Sequence, residues 1–85
     1  MRIDLVLKYL CLARSRSLVK SWCENDLVTI NGAVARASAS VRPGDHVAIR
    51  HPSRTLTIEL RDVPARQVSK ARALDYYVEV DSGAA

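Results

Sequence analysis

The segment LVTINGAVA, residues 27–35, decides the fold class of this chain. Asn31-Gly32 is the dipeptide that most strongly favours a two-residue β-hairpin, because both residues accept the positive φ that a type I′ turn requires. The residues on either side have strand composition, so the segment predicts one strand over 27–30 and a returning strand over 33–35. An antiparallel sheet is therefore expected to begin near the middle of the chain.

The sequence after this hairpin predicts further strands. The stretch VRPGD at 41–45 is typical of a turn, because proline and glycine restrict its geometry. Residues 46–50 and 55–60 alternate between apolar and polar types, as half-buried strands do. Residues 76–80 have strand composition, whereas residues 65–75 are compatible with either a short helix or a wrapped loop.

The sequence before the hairpin has helical periodicity instead. Apolar residues recur every three or four positions over 3–13 and again over 16–24, which predicts two helices. Ser15 or Ser17 can cap the second helix, and residues 25–26 can end it, since Asn and Asp tolerate the left-handed conformation. We therefore expect an α+β fold in which two N-terminal helices pack on a small, mainly antiparallel sheet of four to five strands.

Length and composition restrict the protein class. The chain has 85 residues, of which 48% are hydrophobic and 5% aromatic. These values predict one small aliphatic-cored domain without room for a large substrate pocket. No apolar run approaches the length of a membrane span. Asp4 and Lys8 interrupt the first apolar stretch, so it does not resemble a signal peptide, and a cytoplasmic protein without a membrane partner is expected.

The positive charge is concentrated near the N-terminus. The chain has 13 basic and 9 acidic residues, a formal net charge of +4. Residues 23–85 contain eight of each sign, so the whole excess lies in residues 1–22, where Asp4 is the one acidic residue. A local field of this kind attracts polyanions, nucleic acid first and anionic membranes second. Its five basic residues are Arg2, Lys8, Arg14, Arg16 and Lys20.

The sequence contains no recognisable catalytic or metal-binding pattern. Cys11 and Cys23 are not part of a Cys-x-x-Cys motif, and His46 and His51 lie far from them, so neither a zinc site nor a disulfide framework is expected. Both cysteines, and Trp22 with them, are predicted to belong to the core. With no phosphate-binding loop or nucleophile motif, we expect a binding protein that has no cofactor, small-molecule substrate or catalytic activity.

Residues 2–50 resemble the S4 RNA-binding domain. The resemblance rests on four signals in the expected order, which are RID at 2–4, SRS at 15–17, VTING at 28–32 and VRPGD at 41–45. Within that family, the stand-alone length with a short extension after the domain resembles the heat-shock-protein-15-like and ribosome-quality-control proteins.

The resemblance implies a function. It implies binding to structured ribosomal RNA of the large subunit, with or without peptidyl-tRNA, in ribosome rescue or quality control, through a basic face on the two helices. It also implies an S4-like domain over 1–60, followed by a short extension over 61–85 whose formal charges sum to zero. The chain is expected to act as a monomer.

The RNA-contacting residues are expected among the N-terminal cations. Arg16 and Lys20 are four positions apart and share one helix face. Arg14 and Arg16 flank a helix start, where unpaired N–H groups and the helix dipole favour a phosphate. A solvated face with charges for solubility is the alternative interpretation. The resemblance assigns RNA contact to Arg2, Lys8, Arg14, Arg16, Lys20 and Arg36.

Some residues depart from the family pattern. Leu5 and Cys11 stand where relatives often have Lys and Arg, and Asp26 stands where Gly is usual. Asp4 is expected to be structural, either complementing the helix dipole or holding a nearby arginine in position. Two alternative functions remain open, namely an RNA-targeting accessory module for an RNA-modifying enzyme, and a protein-interaction domain with an acidic partner.

Overall fold

A computed structural model describes residues 1–80 of the chain, and over these residues two N-terminal helices pack on one sheet, as predicted. The third helix is a single turn near the C-terminal end. The elements in chain order are α1 (Ile3–Tyr9), α2 (Arg16–Glu24), β1 (Val28–Ile30), β2 (Ala33–Val34), β3 (His46–Arg50), β4 (Thr55–Leu60), α3 (Lys70–Ala73) and β5 (Tyr77–Val80).

The sheet has five strands in the order β2-β1-β3-β4-β5, and every neighbouring pair is antiparallel. Asn31 and Gly32 join β1 to β2 with φ of 53° and 87°, the positive values that the dipeptide predicts. The Asn31 side chain also holds the next turn, since its Nδ2 donates to Asp45 Oδ1 over 3.1 Å and its Oδ1 accepts from the His46 N–H over 2.9 Å. Two of the motifs noted in the sequence thus meet in one hydrogen-bonded corner.

Helix α2 has the predicted bounds. Ser15 caps it, because its hydroxyl accepts a hydrogen bond of 3.1 Å from the N–H of Leu18. Beyond its C-terminal end, Asp26 has φ 59°, which confirms a left-handed helix exit.

Helix α1 is shorter than the periodicity predicts. It ends at Tyr9 rather than near residue 13, because Cys11 adopts φ 61° and turns the chain out of the helix. The N–H groups of Leu12 and Ala13 then both bond to the carbonyl of Leu7, over 2.9 and 3.1 Å. The apolar stripe therefore continues into a tight turn that still packs against the core.

One aliphatic core lies between the helices and a single face of the sheet. On β3 and β4 the buried side chains alternate with more exposed ones, as expected for a sheet covered on one side. Cys23 is buried as predicted, but Cys11 is only half-buried, since its turn lies at the edge of the core. Trp22 is also half-buried and packs against the core. The fully buried side chains include Ile3, Leu7, Leu10, Val19, Val28, Val47, Ile49, Ile58 and Leu60.

The segment after β4 returns to the sheet. Its short helix α3 occupies only the end of the 65–75 region, and β5 then pairs with β4 through Leu60↔Tyr77 and Thr57↔Val80. The proposed division of the chain at residue 60 stays a prediction, and the tail at 81–85 lies outside the described residues. Among residues 1–80, no helix has the length and apolar character needed to cross a membrane.

Candidate nucleic-acid interface

Backbone hydrogen bonds join the N-terminus to the loop that follows β2. The Ile3 N–H donates to the Ala39 carbonyl over 2.7 Å, and the Asp4 N–H donates to the Ala37 carbonyl over 3.2 Å. The Val41 N–H completes this junction by donating to the carbonyl of Met1 over 2.8 Å. Arg36 is thereby brought to the same side of the molecule as the start of α1, although more than 30 residues separate them in the sequence.

A groove of about 940 Å³ lies between the start of α1, one side of α2 and this loop. We call it the front groove. Four of the six predicted RNA-contacting residues line it, together with Asp4 and the carboxylates of Glu24 and Asp26. Its full lining is Arg2, Asp4, Arg16, Ser17, Lys20, Cys23, Glu24, Asp26, Val34, Ala35, Arg36, Ala37 and Ser38.

The carboxylate of Asp4 organises the two arginines of the front groove. Asp4 is 3% exposed, and its oxygens accept from Arg2 Nε over 3.2 Å, from Arg2 Nη2 over 3.0 Å and from the Leu5 N–H over 2.8 Å. Arg16 approaches the same carboxylate through Nε and Nη2, each at 3.4 Å. The expectation that Asp4 holds a neighbouring arginine is thus confirmed, and it holds two.

This arrangement leaves the arginines able to bind an anion. The side chains of Arg2 and Arg16 are 47% and 48% exposed, so each guanidinium contacts Asp4 on one side and solvent on the other. A guanidinium has five N–H donors and can grip two phosphate oxygens at once. Because Asp4 fixes their positions, less side-chain entropy is lost when a phosphate binds.

The thiol of Cys23 lies at the base of the front groove. Burial raises the pKa of this thiol above its usual value of 9.0, and the negative charges of Asp4 and Glu24 raise it further. The thiol therefore stays protonated at neutral pH, and a protonated thiol is neither a good nucleophile nor a metal ligand.

The other two predicted residues, Lys8 and Arg14, line a second groove, which we call the rear groove. It lies beside the turn after α1, and its volume is about 700 Å³. Lys70 joins them, although it lies far outside the N-terminal cluster of cations in the sequence and is not among the predicted residues. The full lining is Lys8, Cys11, Leu12, Ala13, Arg14, Leu18, Trp22, His51, Gln67 and Lys70.

Comparison with known proteins finds a matching family model and relatives that share one name. The family model described as "S4 domain" matches residues 1–47. Several relatives carry the name RQC P-site tRNA stabilizing factor, and two of them are at least 33% identical to this chain. The protein from Halalkalibacterium halodurans is 40% identical over 63 residues, covering 74% of this chain and 72% of its own. The protein from Bacillus subtilis is 33% identical over 63 residues, covering 74% of this chain and 73% of its own.

A solved structure agrees with these sequence matches. The trimeric structure of heat shock protein 15 from Vibrio cholerae superposes with a TM-score of 0.87 at 26% identity, covering 94% of this chain and 81% of the other. The sequence motifs, the two helices on an antiparallel sheet and the matched family model lead to one conclusion. This chain belongs to the S4 domain family.

Proposed function

We propose that this protein binds structured ribosomal RNA on the large subunit, with or without peptidyl-tRNA, and acts without catalysis in ribosome rescue or quality control. The observation that carries the proposal is the Arg2–Asp4–Arg16 arrangement in the front groove of an S4-family chain. The names of the two relatives further support a ribosome-bound role that involves tRNA.

Binding in the front groove would rely on phosphates and RNA shape. The arginine pair, Lys20 and Arg36 border one concave surface that suits the sugar–phosphate backbone of a folded RNA. An A-form helix hides its major-groove base edges, and it is recognised mainly by shape and backbone contacts. With about four phosphates neutralised, log K should fall with log salt at a slope of roughly −3 to −4.

A ribosome-bound role would keep the protein in the cytoplasm, and we propose that it acts there as a monomer. The four cations and Asp4 come together in the front groove within the fold of one chain. Sedimentation equilibrium of the purified protein tests this proposal, since a mass near 9.4 kDa at working concentration is expected. A mass of three copies would instead align the protein with the trimeric heat shock protein 15 structure.

Sedimentation of tagged protein through a sucrose gradient tests the main proposal. We expect the wild-type protein to move with the large subunit, and the Arg16→Ala/Lys20→Ala variant to stay at the top because half of the front-groove cations are gone. Arg50→Ala/Arg61→Ala is the matched control, since both residues are exposed and neither lines the groove.

The purified Arg50→Ala/Arg61→Ala control should keep a melting temperature within about 3 °C of wild type, because exposed charges contribute little to folding. Arg16→Ala/Lys20→Ala should melt a few degrees lower but remain folded at the temperature of the gradient, since it removes one of the two arginines that pair with buried Asp4. If all three proteins stay at the top of the gradient, the ribosome is not the target. If the control is lost together with the Arg16→Ala/Lys20→Ala variant, net charge rather than the front groove causes the association.

A further inference from the structure

The rear groove has the chemistry of a second binding site. Three cations border it, from the end of α1, the turn before α2 and the start of α3. No Asp or Glu lines it among residues 1–80, whereas three carboxylates line the front groove. Its electrostatic complement is therefore a polyanion, because, within the described residues, no carboxylate in its lining offsets the three cations.

The two grooves lie on opposite sides of α2. Arg16 and Lys20 face the front groove, whereas Leu18 and Trp22 face the rear groove. At about 100° per residue, the centres of the two sets are turned by roughly 180° around the helix. The grooves also lie at opposite ends of α1, so they are two separate surfaces of the molecule.

Hydrogen bonds hold the rear groove in shape. Gln67 Nε2 donates to the Tyr9 carbonyl over 3.2 Å and to Cys11 Sγ over 3.3 Å, and the Val68 N–H also donates to the Tyr9 carbonyl, over 3.2 Å. Lys8 Nζ donates to Gln67 Oε1 over 3.1 Å. Because an ammonium has three donors, two N–H bonds of Lys8 remain for a ligand.

The floor of the rear groove is apolar. Leu12, Ala13, Leu18 and Trp22 contribute to it, and His51 contacts the Trp22 ring edge-on with ring centroids 5.4 Å apart. Leu18 is 36% exposed, so this floor is accessible. A paired RNA helix presents phosphates and riboses but keeps its bases stacked inside, and would leave such a floor uncovered. A single strand can place its phosphates on the cations and its bases on the apolar side chains.

We propose that the rear groove binds a single-stranded RNA segment, with Lys8, Arg14 and Lys70 on its phosphates and the floor of Leu12, Leu18 and Trp22 under its bases. This site is separate from the front groove, which the proposed function assigns to folded RNA. The proposal rests on that function only in taking RNA, rather than another polyanion, as the ligand. The protein would then hold a folded RNA and an unpaired segment at the same time.

Fluorescence anisotropy with two RNA probes tests this proposal. The probes are a fully paired RNA hairpin for the front groove and a labelled eight-nucleotide oligouridine for the rear groove. We expect the hairpin, at saturation, to leave the oligouridine bound. The salt slope for the oligouridine should be about −2, as three phosphate contacts on a single strand predict.

Variants separate the two grooves. Lys8→Ala/Arg14→Ala/Lys70→Ala should weaken oligouridine binding at least 10-fold and hairpin binding less than 3-fold, whereas Arg16→Ala/Lys20→Ala should do the reverse. Leu18→Ala should weaken only the oligouridine, by several-fold and without changing the salt slope. The matched control is Arg42→Ala/Arg50→Ala/Arg61→Ala, three exposed arginines outside both grooves.

Several results would overturn the proposal. They are displacement of the oligouridine by the hairpin, an equal loss in the control variant, or equally tight binding of polyglutamate, which would indicate a general polyanion surface. Failure of the oligouridine to bind while the hairpin binds removes the rear site and leaves the proposed function standing. If the oligouridine binds and the hairpin does not, the rear site is supported and the front-groove site is wrong.

Discussion

At the scale of single residues, the backbone conformation of Asp26 is strained for its side chain. Asp26 has φ 59° at the exit of α2, in the left-handed region that costs an L-residue free energy. Glycine avoids this cost because it lacks a Cβ atom. The carboxylate of Asp26 also lines the front groove, where it opposes the four cations. One residue therefore affects both the stability of the fold and the charge of the candidate interface.

Replacing Asp26 tests both effects. Asp26→Gly should raise the free energy of unfolding by about 0.5–1 kcal/mol, because the strain at positive φ is relieved. Asp26→Asn retains a side chain that tolerates this conformation, so it should change stability less. Both variants should bind an RNA hairpin two- to threefold more tightly, since each removes a negative charge from the groove. Urea denaturation and anisotropy measure these quantities.

Two results would contradict this account of Asp26. A clear loss of stability in Asp26→Gly would mean that the carboxylate makes a stabilising interaction at the helix exit. Unchanged RNA affinity in Asp26→Asn would mean that the front groove is not where the hairpin binds.

At the scale of elements, Asp4 links α1 to α2. It lies in the first turn of α1, and its carboxylate bonds to Arg2 at the N-cap of α1 and to Arg16, the first residue of α2. Because the carboxylate is buried, its charge depends on these donors for stabilisation. The same bonds fix the two arginines that face the front groove, so this contact between helices also orients the candidate RNA-binding groups.

The variant Asp4→Asn separates positioning from charge. It removes a negative charge from the groove, so electrostatics alone would strengthen RNA binding. We expect hairpin affinity to fall severalfold instead, because both arginines lose their fixed orientation. The salt slope should stay unchanged, since all four cations remain. The free energy of unfolding should fall by about 1–2 kcal/mol, as for lost hydrogen bonds to a charged group.

Asp75→Asn is the control for Asp4→Asn. It removes an exposed carboxylate that lines neither groove, and it should leave affinity and stability near wild type. Tighter hairpin binding by Asp4→Asn would contradict a positioning role, and would mean that Asp4 acts only as a negative charge.

At the scale of the whole molecule, the ionisation of two side chains should lower the stability of the fold at alkaline pH. These side chains are Cys23 and Tyr77. Burial raises the pKa of Cys23 on α2, with smaller contributions from Asp4 and Glu24. Burial also raises the pKa of Tyr77 on β5 above its usual value of 10.0, and Glu79 and Cys11 add to this effect. Both groups are neutral when protonated, so the folded state favours their protonated forms more than the unfolded state does.

The sign of the pH dependence follows from these pKa shifts. The stabilisation is fully present below the unfolded-state pKa of each group and is lost as pH rises through the raised pKa of the folded state. We expect the free energy of unfolding in urea to be level from about pH 7 to 8.5 and to fall above about pH 9. In Cys23→Ala/Tyr77→Phe the decline should be smaller, and an equal decline in this variant would assign it to other groups.

Local chemistry in the sequence is sufficient to predict most of the fold. The Asn31-Gly32 turn, the Ser15 cap and the alternation in β3 and β4 each depend on neighbouring residues alone, and all of them appear as predicted. The end of α1 differs from the prediction, because the apolar periodicity continues past Cys11 whereas the backbone leaves the helix there. Periodicity reports which side of a segment is buried, and a tight turn packed on the core can bury the same residues.

The sequence by itself determined the fold class and the N-terminal excess of positive charge, since both arise from composition and short-range pattern. Only the tertiary structure decided how the cations are grouped. Arg36 joins Arg2 through the bonds between the N-terminus and the loop after β2, whereas Lys70 joins Lys8 through the contact of Gln67 with the end of α1. Each grouping depends on chain segments more than 30 residues apart, whose proximity is set by packing against a common core.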